Sequence, residues 1–160
     1  MTIKRGRSQQ IGSAGQFYVA AELSRRGAHA AIYLGNMPNM DLVASNVDQS
    51  RTVSIQVKTR RSGTWHANNR DAEPRKRNPK EDRFWVFVDM LNLKDPDYYI
   101  VPEWWLKNNM YEVCIAYAKK KGRKMELPFE SDHHSIPLVR IEQWKDMWQL
   151  LRLELEEIEA

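Results

Sequence analysis

One cysteine in 160 residues excludes a disulfide framework and a cysteine-based zinc site, since both need cysteines in sets. That residue, Cys114, lies in the apolar run YEVCIAYA and reads as a buried thiol in a reducing compartment. No apolar run approaches the roughly eighteen residues of a membrane span. The first ten residues, MTIKRGRSQQ, read as a basic tail without the apolar stretch of an export signal. The expectation is a soluble, cytoplasmic protein that spans no membrane. Glycine is sparse and never falls in the spacing of a phosphate-cradling loop. No Ser-His-Asp or Cys-His arrangement stands out, and His133 and His134 beside Asp132 have no further ligand at a metal-site spacing, so they read as exposed loop.

What is present suits one ordinary domain over residues 1–160, with 42% hydrophobic residues for its core. The net charge of +4 is small but uneven: between Arg51 and Arg83 there are ten Lys or Arg against four Asp or Glu. A basic middle between neutral and acidic flanks has the pattern of a phosphate-facing surface, because phosphate contacts supply most non-specific affinity for nucleic acid. The alternative is a solvated basic loop.

Residues 13–26 (SAGQFYVAAELSRR) read as a helix, with Ser13 placed to cap it, Val19, Ala20 and Leu23 as its apolar stripe, and Gly27 after its last turn. Runs of strand character follow at 28–34, 40–46 and 52–59, then at 84–91 and 97–101. Between them, 61–83 contains two prolines and no periodicity and reads as a long, basic, irregular loop. Pro102 opens a short helix, EWWLKN, and 109–120 fits a second helix, although YEVCIAYA also fits a strand. From Ile141 through Trp144, Trp148, Leu151 and Leu155 to Ile158 the apolar residues recur every three or four positions, which predicts a C-terminal helix over 141–158. That helix docks on the core or, alternatively, forms a homodimer interface. The order of elements gives an α/β fold with a mixed sheet.

The third strand alternates. Val53, Ile55 and Val57 point one way; Thr52, Ser54, Gln56 and Lys58 point the other. A turn centred on Asp48 and Gln49 pairs positions whose numbers sum to 97, which sets Asp41 opposite Gln56. A carboxylate, an amide oxygen and an ammonium on one polar face suit metal-assisted phosphodiester hydrolysis: hard oxygens hold Mg²⁺ (or Mn²⁺), and a lysine orients the attacking water and neutralises charge growing on phosphorus. A half-exposed hairpin with a merely wet face has the same pattern.

At these residues the chain resembles the PD-(D/E)XK nuclease superfamily, which includes type II restriction enzymes and archaeal Holliday-junction resolvases. The resemblance runs through GSAGQFYVAAELSRRG, NMPNMDLVAS and SIQVKTR, and is strongest to small stand-alone bacterial members with a QxK variant of the motif. It implies a restriction-endonuclease-like core, a central mixed sheet flanked by helices. It also implies catalytic roles for Asp41, Gln56 and Lys58, with Asp41 and Gln56 on the metal and Lys58 on the water.

The chain departs from the family pattern at two places where glutamate is common, Gln16 and Gln56, and Pro38 stands two residues away from joining Asp41. Gln16 has two readings. It faces the sheet and joins the catalytic set, or it forms a capping box with Ser13. No helix is evident after the lysine strand. DNA is the expected partner, gripped by Arg60, Arg61, Arg70, Arg75, Lys76, Arg77 and Lys80. Trp65, in the same stretch, either stacks on an unpaired base or folds back on the core, and Trp104 and Trp105 read as packing residues. The competing expectation is a nuclease-like fold that binds nucleic acid or protein without cutting.

Overall fold

The computed structural model describes residues 3–33, 35, 37–122 and 133–156. Helix α1 (Ile3–Arg25) is followed by strands β1 (His29–Ile32), β2 (Leu42–Ser45), β3 (Thr52–Arg60), β4 (Trp65–Ala67), β5 (Arg83–Asp89) and β6 (Asp97–Pro102). Among the described residues, helix α2 (Glu103–Lys120), strand β7 (His134–Ile136) and the single-turn helix α3 (Leu138–Ile141) complete the regular elements apart from three short 3-10 turns. The main sheet runs β1-β2-β3-β5-β6, and β4 pairs with β7 in a separate ribbon. Only β3 and β5 are parallel; every other pairing is antiparallel. This is the mixed, helix-flanked α/β architecture that the sequence implies.

Each face of the sheet has its own core. On one, Val53, Ile55 and Val57 of β3 meet Val19 and Leu23 of α1, with Phe84, Val86 and Val88 of β5. On the other, Trp85 and Phe87 of β5 and Tyr99 and Val101 of β6 meet Leu106, Met110 and Cys114 of α2. Strand β5 is therefore buried on both sides, as its unbroken FWVFV requires.

The predicted register is the observed one. Leu42 pairs with Ile55 and Ser45 with Thr52, so partners sum to 97. Helix α1 ends in a Schellman motif: Gly27, at φ 89°, lets Ala28 N donate to Leu23 O (3.0 Å) and its own N to Ser24 O (3.1 Å).

Four expectations need correction. The basic tail is part of α1, which starts at Ile3, so Ser13 lies inside the helix and caps nothing. The loop over 61–83 carries β4 and a 3-10 turn at Asn69–Asp71, because the apolar residues Trp65 and Ala67 find a partner strand in β7. No kink separates EWWLKN from 109–120: Pro102 serves as N-cap to one continuous α2. The helix predicted over 141–158 is replaced by 3-10 turns at Glu142–Trp144 and Trp148–Leu151. Positive φ at Asp146, Arg152 and Glu154 breaks any longer helix, and a bridge from Lys145 to Tyr99 on the sheet edge holds the segment extended between the two turns. Its apolar residues divide accordingly: Ile141 and Trp144 pack on the α2 face, Trp148 and Leu151 on the α1 face. Ile158 lies outside the described residues, as does Leu34 of the first predicted strand.

Candidate active site

Strand β2 ends before β3 does, and Asp41 occupies the resulting step. Its backbone N–H donates to Ile55 O (2.9 Å), its C=O accepts from Tyr33 N (2.9 Å), and its side chain turns to accept from Val57 N (2.7 Å at Oδ2). The carboxylate thus satisfies an amide of β3 that has run out of ladder partners. Its other oxygen, Oδ1, accepts from Nε2 of Gln16 at 2.9 Å. Gln16 therefore faces the sheet and forms no capping box with Ser13. Two elements fix one carboxylate, and each of its oxygens keeps a lone-pair direction for a further ligand.

Helix α1 can come this close because residue 15 is glycine. A Cβ there would stand 1.8 Å from Oγ1 of Thr59 in β3. Three interior glycines (Gly6, Gly12 and Gly15) weaken a helix, but this one buries its backbone against the strand that carries Gln56 and Lys58.

Gln56 follows Ile55 on β3, and one more step of the 97-sum register sets it beside Asp41. Its Oε1 is buried and has no hydrogen-bond partner. On its other side the register partner is Trp85. Lys58 pairs with Phe87 in register, yet its Nζ sits over the Trp85 ring, 5.4 Å from the centroid. The lysine is therefore turned back along the strand toward Gln56. Asp41, Gln56 and Lys58 gather at one step of the sheet, with Gln16 behind the carboxylate.

The predicted phosphate-binding cations separate into two groups. Arg60 is buried: its guanidinium pairs with Asp89 (2.5 Å), donates to Gly63 O (2.6 Å) and stacks on Trp65 at 3.8 Å. So enclosed, it has no face for a phosphate, and its inclusion among the DNA contacts is corrected on that ground. Arg75 is half-buried and paired with Glu103. Arg61, Arg70, Lys76, Arg77 and Lys80 are exposed.

Trp65 resolves to its core reading, 1% exposed, with its indole N–H donating to Val88 O (3.1 Å). His66 is exposed.

His134 is not the exposed loop residue expected. It is buried in β7, where Nδ1 donates to Asn69 Oδ1 (2.8 Å) and Nε2 accepts from Arg140 Nη1 (2.9 Å). Burial, then the Arg140 charge, pushes its pKa down to about 4. Cys114 lies 3.6 Å from the same Nδ1, a Cys-His contact hidden in sequence by the 20 positions between them. Burial also pushes the thiol up. A neutral thiol beside a neutral imidazole whose nitrogens are both engaged is a packed polar network and not a nucleophile with its base. Asp132 lies outside the described residues.

Among the described residues no group of three or more His, Cys, Asp and Glu could hold a metal ion.

No family model matches the chain. No curated protein matches it either. Solved structures do. A bacterial homing endonuclease superposes with a TM-score of 0.50 at 18% identity, over 91% of this chain and 93% of that one. The Holliday junction resolvase of Archaeoglobus fulgidus, an archaeal hyperthermophile, reaches a TM-score of 0.43 at 15% identity over 72% of this chain and 98% of its own. The fold is shared with the homing endonuclease over nearly the whole length of both chains. No helix among the described residues is long and apolar enough to cross a membrane.

Proposed function

We propose that the protein is a divalent-metal-dependent endonuclease that hydrolyses phosphodiester bonds in DNA. The observation that carries this reading is the orphaned Oε1 of Gln56, next in register to a carboxylate held on two sides. A buried acceptor oxygen without a donor is costly unless something positive meets it. An oxygen pair of this kind fits Mg²⁺ or Mn²⁺, which take hard oxygen ligands and keep several waters. When bound there, such an ion supplies Lewis-acid activation of water and of the phosphoryl oxygen.

The protein's own groups do the rest. Asp41 and Gln56 hold the cation. Gln16 orients Asp41 through its amide N–H. Lys58, turned toward Gln56, donates hydrogen bonds to the attacking water and offsets negative charge at phosphorus. The exposed cations Arg61, Arg70, Lys76, Arg77 and Lys80 draw in the sugar-phosphate backbone. The fold shared with a homing endonuclease supports DNA as the substrate.

The test is cleavage of plasmid and branched DNA with Mg²⁺ or Mn²⁺, comparing wild type with Asp41→Ala and Lys58→Ala. Each substitution should reduce the rate by about a hundredfold or more. Cleavage that survives both assigns the activity elsewhere.

A second reading is favoured by one observation, that Gln16 and Gln56 stand where the family pattern often has glutamate. In it, the fold binds nucleic acid or a protein partner without cutting. Calorimetry separates the two: Mn²⁺ binding that disappears in Asp41→Ala belongs to the nuclease, and its absence in wild type, together with salt-sensitive DNA binding, belongs to the alternative. Self-association into a homodimer is a further proposal, to be read from sedimentation.

A further inference from the structure

A second cleft opens further across the sheet from the Asp41 centre. Phe84 is the register partner of Ile55, and Pro102 that of Phe84, so this end of β5 and β6 lies roughly 10 Å from Gln56, two strand spacings away. Here Phe84, Pro102, Trp104 and Trp144 enclose about 240 Å³, with Arg77 and Arg152 at the cleft.

Its walls are aromatic and cationic. The exposed Arg77 lies over the half-buried ring of Trp104, its guanidinium 5.6 Å from the ring centroid; a flat group can slide under that cation or displace it. Glu81, also in the lining, is buried and spreads its charge over the backbone N–H groups of Asp82 and Arg83 (3.2 Å each) and Trp104 (3.4 Å). Arg51 donates to Leu151 O (2.7 Å) and Glu81 O (2.5 Å) and so ties the segment that carries Leu150 and Arg152 to the one that carries Glu81.

Two indole rings and two guanidinium groups match one chemical class, a nucleotide with its base unpaired. We infer that this cleft binds an unpaired nucleotide of the DNA substrate, the base against Trp104 and Trp144 and its phosphate between Arg77 and Arg152. Stacking on aromatic rings tolerates any base, while guanidinium groups hold the backbone. The inference rests on the nuclease reading for the identity of the polymer, and it makes single-stranded or branched DNA the preferred substrate over a continuous duplex.

The test is run on the full chain carrying Asp41→Ala, without divalent metal, so that loss of cleavage and loss of the cleft are read separately. The probe is a short single-stranded DNA containing 2-aminopurine, compared with a blunt duplex of equal length. The single strand should bind with quenched fluorescence, and Trp104→Ala or Arg152→Ala should weaken it by about tenfold. Equal quenching by the duplex, affinity unmoved in Trp104→Ala and Arg152→Ala, or complete displacement by millimolar inorganic phosphate would each overturn the inference, the last because it describes a simple anion site.

Discussion

Gln16 of α1 donates a 2.9 Å hydrogen bond to Asp41 ahead of β2, so a neutral amide orients the carboxylate on which the proposed chemistry depends. Replacing that amide with an acid sets two carboxylates in contact, which without a cation destabilises both charged forms. Gln16→Glu is therefore expected to melt at lower temperature than wild type in EDTA, to recover in Mn²⁺, and to bind Mn²⁺ about tenfold more tightly, since ligand charge sets affinity for hard cations. Calorimetry and thermal melts with and without Mn²⁺ read all three; a melting temperature indifferent to Mn²⁺ would remove Asp41 from the metal site.

The close approach of Gly15 to Thr59 makes a second prediction. In a free helix Gly→Ala stabilises by about 1 kcal/mol. Here the new methyl meets Oγ1 at 1.8 Å, and overpacking of this kind costs roughly 1–3 kcal/mol. Gly15→Ala should lower the urea midpoint, and adding Thr59→Ala should restore part of the loss, because the hydroxyl is the atom in the way. An additive double mutant means that the helix shifts instead of clashing.

Arg60 and its exposed neighbours should behave oppositely. Removing one partner of a buried ion pair costs about 3–5 kcal/mol, so Arg60→Ala, which strands Asp89 and uncovers Trp65, should unfold at much lower urea. Arg61→Ala, Lys76→Ala and Lys80→Ala should leave the midpoint within about 0.5 kcal/mol of wild type, yet reduce the salt dependence of DNA binding by about one counterion each. Loss of DNA affinity in a well-folded Arg60 variant would contradict the buried placement.

Stability should also fall in mild acid. The folded state holds the His134 pKa at about 4, below the ordinary 6.5, so the unfolded chain binds the extra proton first. The contribution of neutral His134 is complete above pH 6.5 and is lost progressively as pH falls from there toward 4. Urea midpoints at pH 7.5 and 5.0 should differ more in wild type than in His134→Gln. Equal differences would place the acid sensitivity in other groups.

The sheet and its register were legible in the sequence because β3 alternates from Thr52 to Lys58 and a turn centred on Asp48 and Gln49 pairs positions that sum to 97. Gln16 was ambiguous for a physical reason: Ser13-Ala-Gly-Gln satisfies a capping box and a helix face equally, and only the start of α1 at Ile3 decides between them. Arg60 looked like its exposed neighbours because sequence gives its charge and not Asp89 and Trp65 around it. The C-terminal segment misled through spacing alone. Two 3-10 turns joined by an extended bridge repeat their apolar residues every three or four positions just as a helix does, and no glycine marks Asp146, Arg152 or Glu154, where the backbone reverses hand. His134 and Cys114 were invisible as a pair because the contact spans two elements.

By crossing the edge of β6, the segment from Ile141 to Leu153 puts Ile141 into one core and Trp148, Leu151 and Leu153 into the other. Neither layer can close around its own helix alone, since each waits for the same late stretch of chain. The two faces should therefore melt together in one cooperative step instead of peeling apart, and contacts of such long sequence separation as Arg51 to Leu151 should place the protein among the slower folders of its size.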